Sequence, residues 1–301
     1  MKEECILLRE LSSIPNIDIT VPTNWLLINS MSDNMNISDV MIRYLVVKEF
    51  YECTNCCEKE LLYNQKGNLS YELINDLGFP MMALYYKMQF KRAEYVKRIT
   101  KINVDDSVYN FIDLIEKVDK YGFDIKYPLE INQNFCLLDG AHRLALALYH
   151  KVPKIRIFFN DGLNFTPNYS LQWFKDMNMF EYIDIITDTY KFILEKNSGM
   201  YVIGLKEEVY VNKYKDNFFI EEIQFYNGEK EKFELLNSCK LEEGLKYYKL
   251  IPKFNNEKNT YPVYSEKINI PIVKNELEKE MITFCNSRDI ILMKQKGDNN
   301  V

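Results

Sequence analysis

Between Ser38 and about Glu52 the residues Val40, Met41, Tyr44, Leu45, Lys48 and Tyr51 alternate between faces, and the pattern predicts a helix. A second helical pattern starts near Ser107, a residue that can cap it. It carries Phe111, Leu114, Ile115 and Val118 and ends at Gly122. Pro128-Leu129-Glu130-Ile131 then reads as a short strand, Asn132-Gln133-Asn134 as a turn, and Phe135 to Leu138 as the neighbouring strand. An Ala/Leu-rich helix follows at once, from Ala141 to His150, until Val152-Pro153 breaks it. Lys154-Ile155-Arg156-Ile157-Phe158-Phe159 alternates as a half-buried strand does. The order helix, hairpin, helix, strand predicts a small α+β core.

The flanks read differently. Residues 1–95 form a helix-rich, aromatic N-terminal extension, residues 96–160 the core, and residues 161–196 a helical connector. The connector has a Gly162/Pro167 loop, then a helix from Leu171 interrupted near Asn178. From 197 to 301 period-two runs predict a β-rich C-terminal domain: Tyr201-Val202-Ile203, Glu208-Val209-Tyr210-Val211, and Phe218 to Tyr226 closed as a hairpin by Asn227-Gly228. The polar tail after Lys294 is expected to fray.

Candidate chemistry concentrates where the core's second strand meets its second helix, at Asp139-Gly140-Ala141-His142-Arg143. A strand, a tight turn and a helix N-terminus present unpaired N–H groups and the positive end of the helix dipole. Such a junction can hold a phosphate, with Arg143 adding a fork of donors. The chain's two histidines, His142 and His150, lie eight residues apart, about 12 Å of helical rise, too far to share one small site. His150 is assigned to the charge-favourable helix C-terminus instead.

The spelling of this turn resembles the signature of the ParB/sulfiredoxin-like superfamily, in which a Gly-x-His-Arg or Gly-Glu-Arg-Arg turn binds nucleotide phosphates. The nearest form is the Asp-Gly-His-His-Arg turn of its free-serine kinases, matched here by Asp139, Gly140, His142 and Arg143, with Ala141 replacing the first His. Sulfiredoxins carry their reactive Cys at the position of Ala141, so the resemblance does not extend to their chemistry. ParB proteins have Glu and Arg in place of Ala141 and His142, which departs from ParB-type nucleotide hydrolysis. The likeness covers about residues 96–160 and implies a ParB/sulfiredoxin-like core binding ATP, ADP or CTP with Mg²⁺ through Gly140, Ala141, His142 and Arg143. It further implies a nucleotide-dependent phosphotransferase acting on a small molecule or sugar precursor, with Asp139 and His142 as catalytic candidates. Asp139 caps the helix, ligates a nucleotide-bound magnesium ion, or serves as base for an incoming hydroxyl. Glu94 and Glu130 are candidates for the acceptor side. The alternative is a non-catalytic nucleotide-binding or DNA-binding switch of ParB type.

A basic run lies just ahead of the core: Lys87, Lys91, Arg92, Lys97, Arg98 and Lys101, countered by Glu94. It is either a solvated helix face or a wall for a nucleotide or anionic substrate, with Lys87 and Arg92 foremost. Leu84-Tyr85-Tyr86-Lys87-Met88-Gln89 with Arg92 resembles a stretch that precedes such domains in proteins of surface-polysaccharide gene neighbourhoods, which implies surface polysaccharide biosynthesis. Cys53, Cys56 and Cys57 contain the C-x-x-C of a zinc half-site, but no second pair accompanies it, so free thiols are expected and no metal site is assigned. Trp173-Phe174 is read as a packing anchor.

Composition narrows the classes. The formal charge of -6 argues against a surface that tracks DNA throughout, leaving nucleic acid the less favoured partner. Seven cysteines without the spacing of a disulfide scaffold suit a reducing compartment. No apolar run is long enough to span a bilayer and no segment has the make-up of a signal peptide, so a cytoplasmic location is expected.

Overall fold

The computed structural model describes residues 18–23, 38–54, 56–65, 67–96, 101–131, 137–159, 170–196, 201–206, 208–215, 218–226, 228–239, 244–252 and 276–296. The expected 132–134 turn, Phe135 and Cys136, the Gly162/Pro167 loop, Lys97, Arg98, Asn227, Cys5 and most of the tail lie outside these residues. The architecture is α+β, with a four-stranded and a five-stranded sheet.

The first sheet and its helices come from β1 (Asp18–Pro22), α1 (Ser38–Glu52), α2 (Cys56–Tyr63), α3 (Tyr71–Asp76), α4 (Pro80–Val96), α5 (Lys101–Tyr121), β2 (Leu129–Ile131), β3 (Leu137–Asp139), α6 (Ala141–Tyr149), β4 (Lys154–Phe159), α7 (Leu171–Asp176) and α8 (Glu181–Lys196). Strand order is β1-β4-β2-β3. β2 and β3 pair antiparallel, with Glu130 opposite Asp139 and Ile131 opposite Leu137. β2 and β4 run parallel, so β3 and α6 form the crossover between them. Along β4, Ile155 and Ile157 are buried while Lys154 is exposed, the alternation expected of a half-buried strand.

β1 is a departure from the expected helix-rich extension. Its five residues pair antiparallel with β4 from Asp18↔Phe158 to Pro22↔Lys154, supplying the core sheet's edge. Pro22 is tolerated there because an edge strand has one side free of ladder bonds. α1 matches its expected bounds but lacks one apolar face: Val40, Met41, Ile42, Tyr44, Val46, Val47 and Phe50 are all buried. A helix with apolar residues buried on several sides belongs in the interior, and α1 packs on α6, α4 and α8. One hydrophobic cluster accordingly runs through the three stretches 1–95, 96–160 and 161–196, from Val40 to Ile193, and takes in Ile251 beyond them.

Ser107 does not cap α5, which begins at Lys101; Ser107 lies inside the helix and hydrogen-bonds Tyr85. Gly122 ends α5 in the left-handed region with φ 79°, as expected of a C-terminal glycine. Asn178, φ 55°, separates α7 from α8. Ser170 caps α7 by accepting the Trp173 N–H, and Trp173 and Phe174 are buried in the common cluster.

The C-terminal part is β-rich, built from β5 (Tyr201–Leu205), β6 (Phe218–Ile223), β7 (Phe233–Leu235), β8 (Lys246–Pro252), α9 (Glu276–Asn286) and β9 (Ile291–Gln295). Its five strands, ordered β6-β8-β5-β9-β7, are all antiparallel. Two expectations fail here. Glu208–Tyr214 is a 3-10 helix rather than a strand, with Tyr214 buried under the sheet. The hairpin after Phe218 is not formed either, since β6 pairs with β8 and β7 with β9. Gly228, φ 84°, instead opens a 3-10 turn at Glu229–Lys232. Glu221 on β6 accepts ion pairs from Lys191 on α8 and Lys249 on β8, each at 3.0 Å, joining this sheet to the first unit. Among the described residues, no helix is long and apolar enough to cross a membrane.

Candidate functional site

The β3–α6 junction takes the shape its sequence implies. Gly140 adopts φ 101°, ψ 15°, a left-handed conformation that turns the chain from strand into helix within one residue. A Cβ there would overlap Leu129 Cδ2 and lie 3.2 Å from Arg143 Nη2, so glycine is required on two counts. No side chain caps α6. The first bond back into the turn is Leu144 N to Gly140 O at 2.8 Å, which leaves the N–H groups of Ala141, His142 and Arg143 without an intrahelical acceptor. The turn therefore offers a short row of donors at the positive end of the helix dipole.

Arg143 has a second task beside them. Its Nη1 donates to the carbonyls of Tyr127 and Pro128, and its Nη2 to Asp139 Oδ2, all at 2.9 Å. These bonds fasten the turn to the chain entering β2, and the Nε and one Nη2 hydrogen remain outside them. Asp139 is not the helix cap. Its side chain is 71% exposed and tied through one oxygen to Arg143. Glu130, directly across the β2–β3 ladder, shares its face of the sheet.

His142 points the other way, into a polar pocket between helices. Its Nε2 is 2.8 Å from the Tyr85 hydroxyl, which also lies 3.0 Å from Ser107 Oγ. The imidazole packs 4.3 Å from the Phe111 ring, centroid to centroid. Burial holds its pKa well below the usual histidine value, and the charges of Arg43 and Arg92 push it further down. His142 is thus a neutral imidazole at physiological pH. It offers the turn a hydrogen-bonding group and no charge.

The positive charge is supplied from behind. Tyr85, Gln89 and Arg92 stand at i, i+4 and i+7 on α4 and so share one face. Arg43 on α1 lies over the Tyr85 ring, 5.3 Å from its centroid, and forms a buried ion pair with Asp39 one turn earlier. Burial raises the Asp39 carboxyl to about 6 against the lowering pull of Arg43 and Arg92, and its Oδ1 has no hydrogen-bond partner. Asp39 and Arg43 were not singled out from sequence, and Ser107, Tyr85 and Gln89 were read there only as a helix cap and as members of a stretch ahead of the core. The available signal was an Asp and an Arg four residues apart in the mostly apolar first half of the helix, where charges are seldom buried unpaired.

The two basic candidates separate. Arg92 belongs to the cluster around His142, whereas Lys87, two positions off the Tyr85–Arg92 face, pairs with Glu181 at 2.8 Å and lies over Tyr71 and Tyr182. Glu94 pairs with Lys91 at 2.9 Å on the exposed side of α4. His150 ends α6, where its Nε2 is 3.0 Å from the Tyr51 hydroxyl and its ring meets Tyr51 and Tyr149 edge-on. Cys53 Sγ lies 3.5 Å from Glu58 Oε2, and Cys57 is exposed. Among the described residues, no group of three or more His, Cys, Asp or Glu side chains is arranged to hold a metal ion. Comparison of the chain with family models and curated proteins, and of its fold with solved structures, finds no match.

Proposed function

We propose that the β3–α6 turn binds the phosphates of a nucleotide, and that the protein is a nucleotide-dependent phosphotransferase acting on a small-molecule or sugar-precursor hydroxyl. The observation that carries this reading is the uncapped N-terminus of α6: a left-handed Gly140 followed by three N–H groups without intrahelical acceptors. Arg43 and Arg92 lie behind it, close enough to depress the His142 pKa. Unpaired donors at the positive end of a helix dipole are the arrangement that holds a polyphosphate. The ParB/sulfiredoxin-like spelling of the turn supports the same ligand.

The donor set fits ATP, ADP or CTP. The N–H groups of Ala141, His142 and Arg143 would receive phosphate oxygens, and the part of the Arg143 guanidinium left by Tyr127, Pro128 and Asp139 would add directed donors. Mg²⁺ bound with the nucleotide would neutralise phosphate charge and align the transferred group. Asp139, exposed and using one oxygen on Arg143, is the turn's own carboxylate for that ion. Glu130, opposite it, would orient the acceptor hydroxyl. His142, neutral and held by Tyr85, positions the turn and does not act as a charged acid.

Arg143→Ala would release the backbone at Tyr127 and Pro128 as well as any ligand. Ala141→Glu instead places a carboxylate in the first helical turn, where the dipole favours it and phosphate binding does not. Thermal unfolding with a nucleotide panel, with and without Mg²⁺, should show a midpoint rise for the unsubstituted protein. A ligand at a hundred times its Kd adds about 2.7 kcal/mol. Ala141→Glu should keep the unliganded midpoint and lose the rise. A protein that no nucleotide shifts, or a variant shifted as much as its parent, overturns the phosphate turn. Binding without transfer to any hydroxyl acceptor would return the ParB-type switch.

A further inference from the structure

Residues 122–128, between α5 and β2, form neither helix nor strand, yet their backbone is held from two sides. Arg143 takes the carbonyls of Tyr127 and Pro128 at 2.9 Å, and Arg156 on β4 takes that of Lys126 at 3.0 Å. Asp124 Oδ1 accepts the Lys126 N–H at 2.9 Å and closes a local turn. With three successive carbonyls pinned, the side chains are left at the surface: Tyr127 is 67% exposed and Ile125 51% exposed. Tyr121, Tyr226 and Tyr95 are exposed as well, and what sets Tyr127 apart from them is that its backbone is bonded to the Arg143 side chain of the phosphate turn.

What the ring would contact follows from Arg143. The guanidinium that secures the phosphate turn also fixes the Tyr127 peptide, so the ring is anchored beside the turn through its backbone. We propose that Tyr127 is the stacking platform for the planar base of the nucleotide whose phosphates occupy the Gly140–Arg143 turn. The inference rests on the phosphate-turn reading. It deepens it by assigning the aromatic end of the ligand, which separates a nucleotide from a sugar phosphate or an inorganic polyphosphate. A tyrosine face accepts any base, so stacking supplies affinity without choosing among ATP, ADP and CTP.

Calorimetric titration of the full chain with Mg-ATP and with Mg-tripolyphosphate, for the unsubstituted protein, Tyr127→Ala and Tyr127→Trp, tests this. The ring is largely exposed, so neither substitution disturbs the core. Tyr127→Ala should weaken ATP about tenfold or more while leaving tripolyphosphate unchanged, and Tyr127→Trp should retain ATP. If ATP binds Tyr127→Ala as well as it binds the parent, stacking is overturned and the phosphate turn stands. Equal weakening of both ligands also overturns it, because the substitution then acts through the turn. If neither ligand binds the unsubstituted protein, the phosphate turn fails and this inference fails with it.

Discussion

Replacing Gly140 by alanine probes the geometry on which the site depends. Two costs are separable. Gly140 and Gly122 both have positive φ, 101° and 79°, but a Cβ on Gly122 meets nothing within 4 Å, whereas on Gly140 it overlaps Leu129 Cδ2 and stands 3.4 Å from Leu129 Cα. Gly122→Ala therefore measures the backbone term alone, about 1–2 kcal/mol for an L-residue held in the left-handed region. Gly140→Ala adds overpacking against a fully buried leucine, for a total of about 2–5 kcal/mol. Leu129→Val removes the clashing δ carbon at a cost of about 0.8 kcal/mol for one buried methylene. In that background Gly140→Ala should cost little more than Gly122→Ala. Urea unfolding of the four variants gives the coupling directly, expected at about 1–3 kcal/mol. Equal costs for the two glycines, or a Gly140→Ala cost left unchanged by Leu129→Val, would refute the steric argument for a glycine at this turn.

Two further outcomes concern pH. Glu49 accepts the N–H groups of Met81 at 2.8 Å and Met82 at 2.9 Å, so a carboxylate from α1 occupies the first turn of α4, and burial pushes its pKa up to about 7. A pKa raised above the unfolded 4.5 contributes stability that is fully present below pH 4.5 and lost as pH rises through about 7. The stability of the unsubstituted protein minus that of Glu49→Gln should thus fall between pH 4.5 and about 7 and level off above, by at most about 1.4 kcal/mol per pH unit; a flat difference would show Glu49 to be solvated. The histidines give the opposite sign. Both pKa values are depressed, by burial first and for His142 also by Arg43 and Arg92, so the stability they contribute is present above the unfolded 6.5 and lost as pH falls below it. Nitrogen-edited NMR has two imidazoles to follow, and His142 should stay neutral well below the usual histidine range. Titration of His142 near 6.5 would mean that its ring faces water. Tyr85→Phe, which deprives His142 Nε2 and Ser107 of a shared partner, should cost about 1–3 kcal/mol in denaturant unfolding.

Elements whose information is local were legible. The helix at Ser38–Glu52, the stop at Gly122, the break at Asn178 and the strand at Lys154–Phe159 each follow from a run of residues and its punctuation. The errors share a cause. Glu208-Val209-Tyr210-Val211 has the alternation of a strand but becomes a 3-10 helix because Tyr214 is drawn under the C-terminal sheet. Phe218–Ile223 has the flanks of a hairpin, yet Phe219 pairs with Ile251 and not across the nearby Gly228. β1 went unread because five residues far from the core carry no local sign that β4 needs an edge partner.

The candidate site divides along the same line. The amino-acid sequence by itself determined the turn: β3 ending in Asp139, a glycine able to reverse direction, and a helix starting at once with Ala141, His142 and Arg143. Conformational preference and hydrogen-bond geometry act over a few neighbouring residues, and those suffice for it. Only the tertiary structure decided what surrounds the turn. Packing of α1 on α6, with α4 against α1 and α5, brings Arg43, Tyr85 and Arg92 to His142 and turns Lys87 outward, while Arg143 binds Tyr127. Burial and charge at a point depend on everything folded around it, so the neutrality of His142 and the exposed ring of Tyr127 arise in the assembled fold.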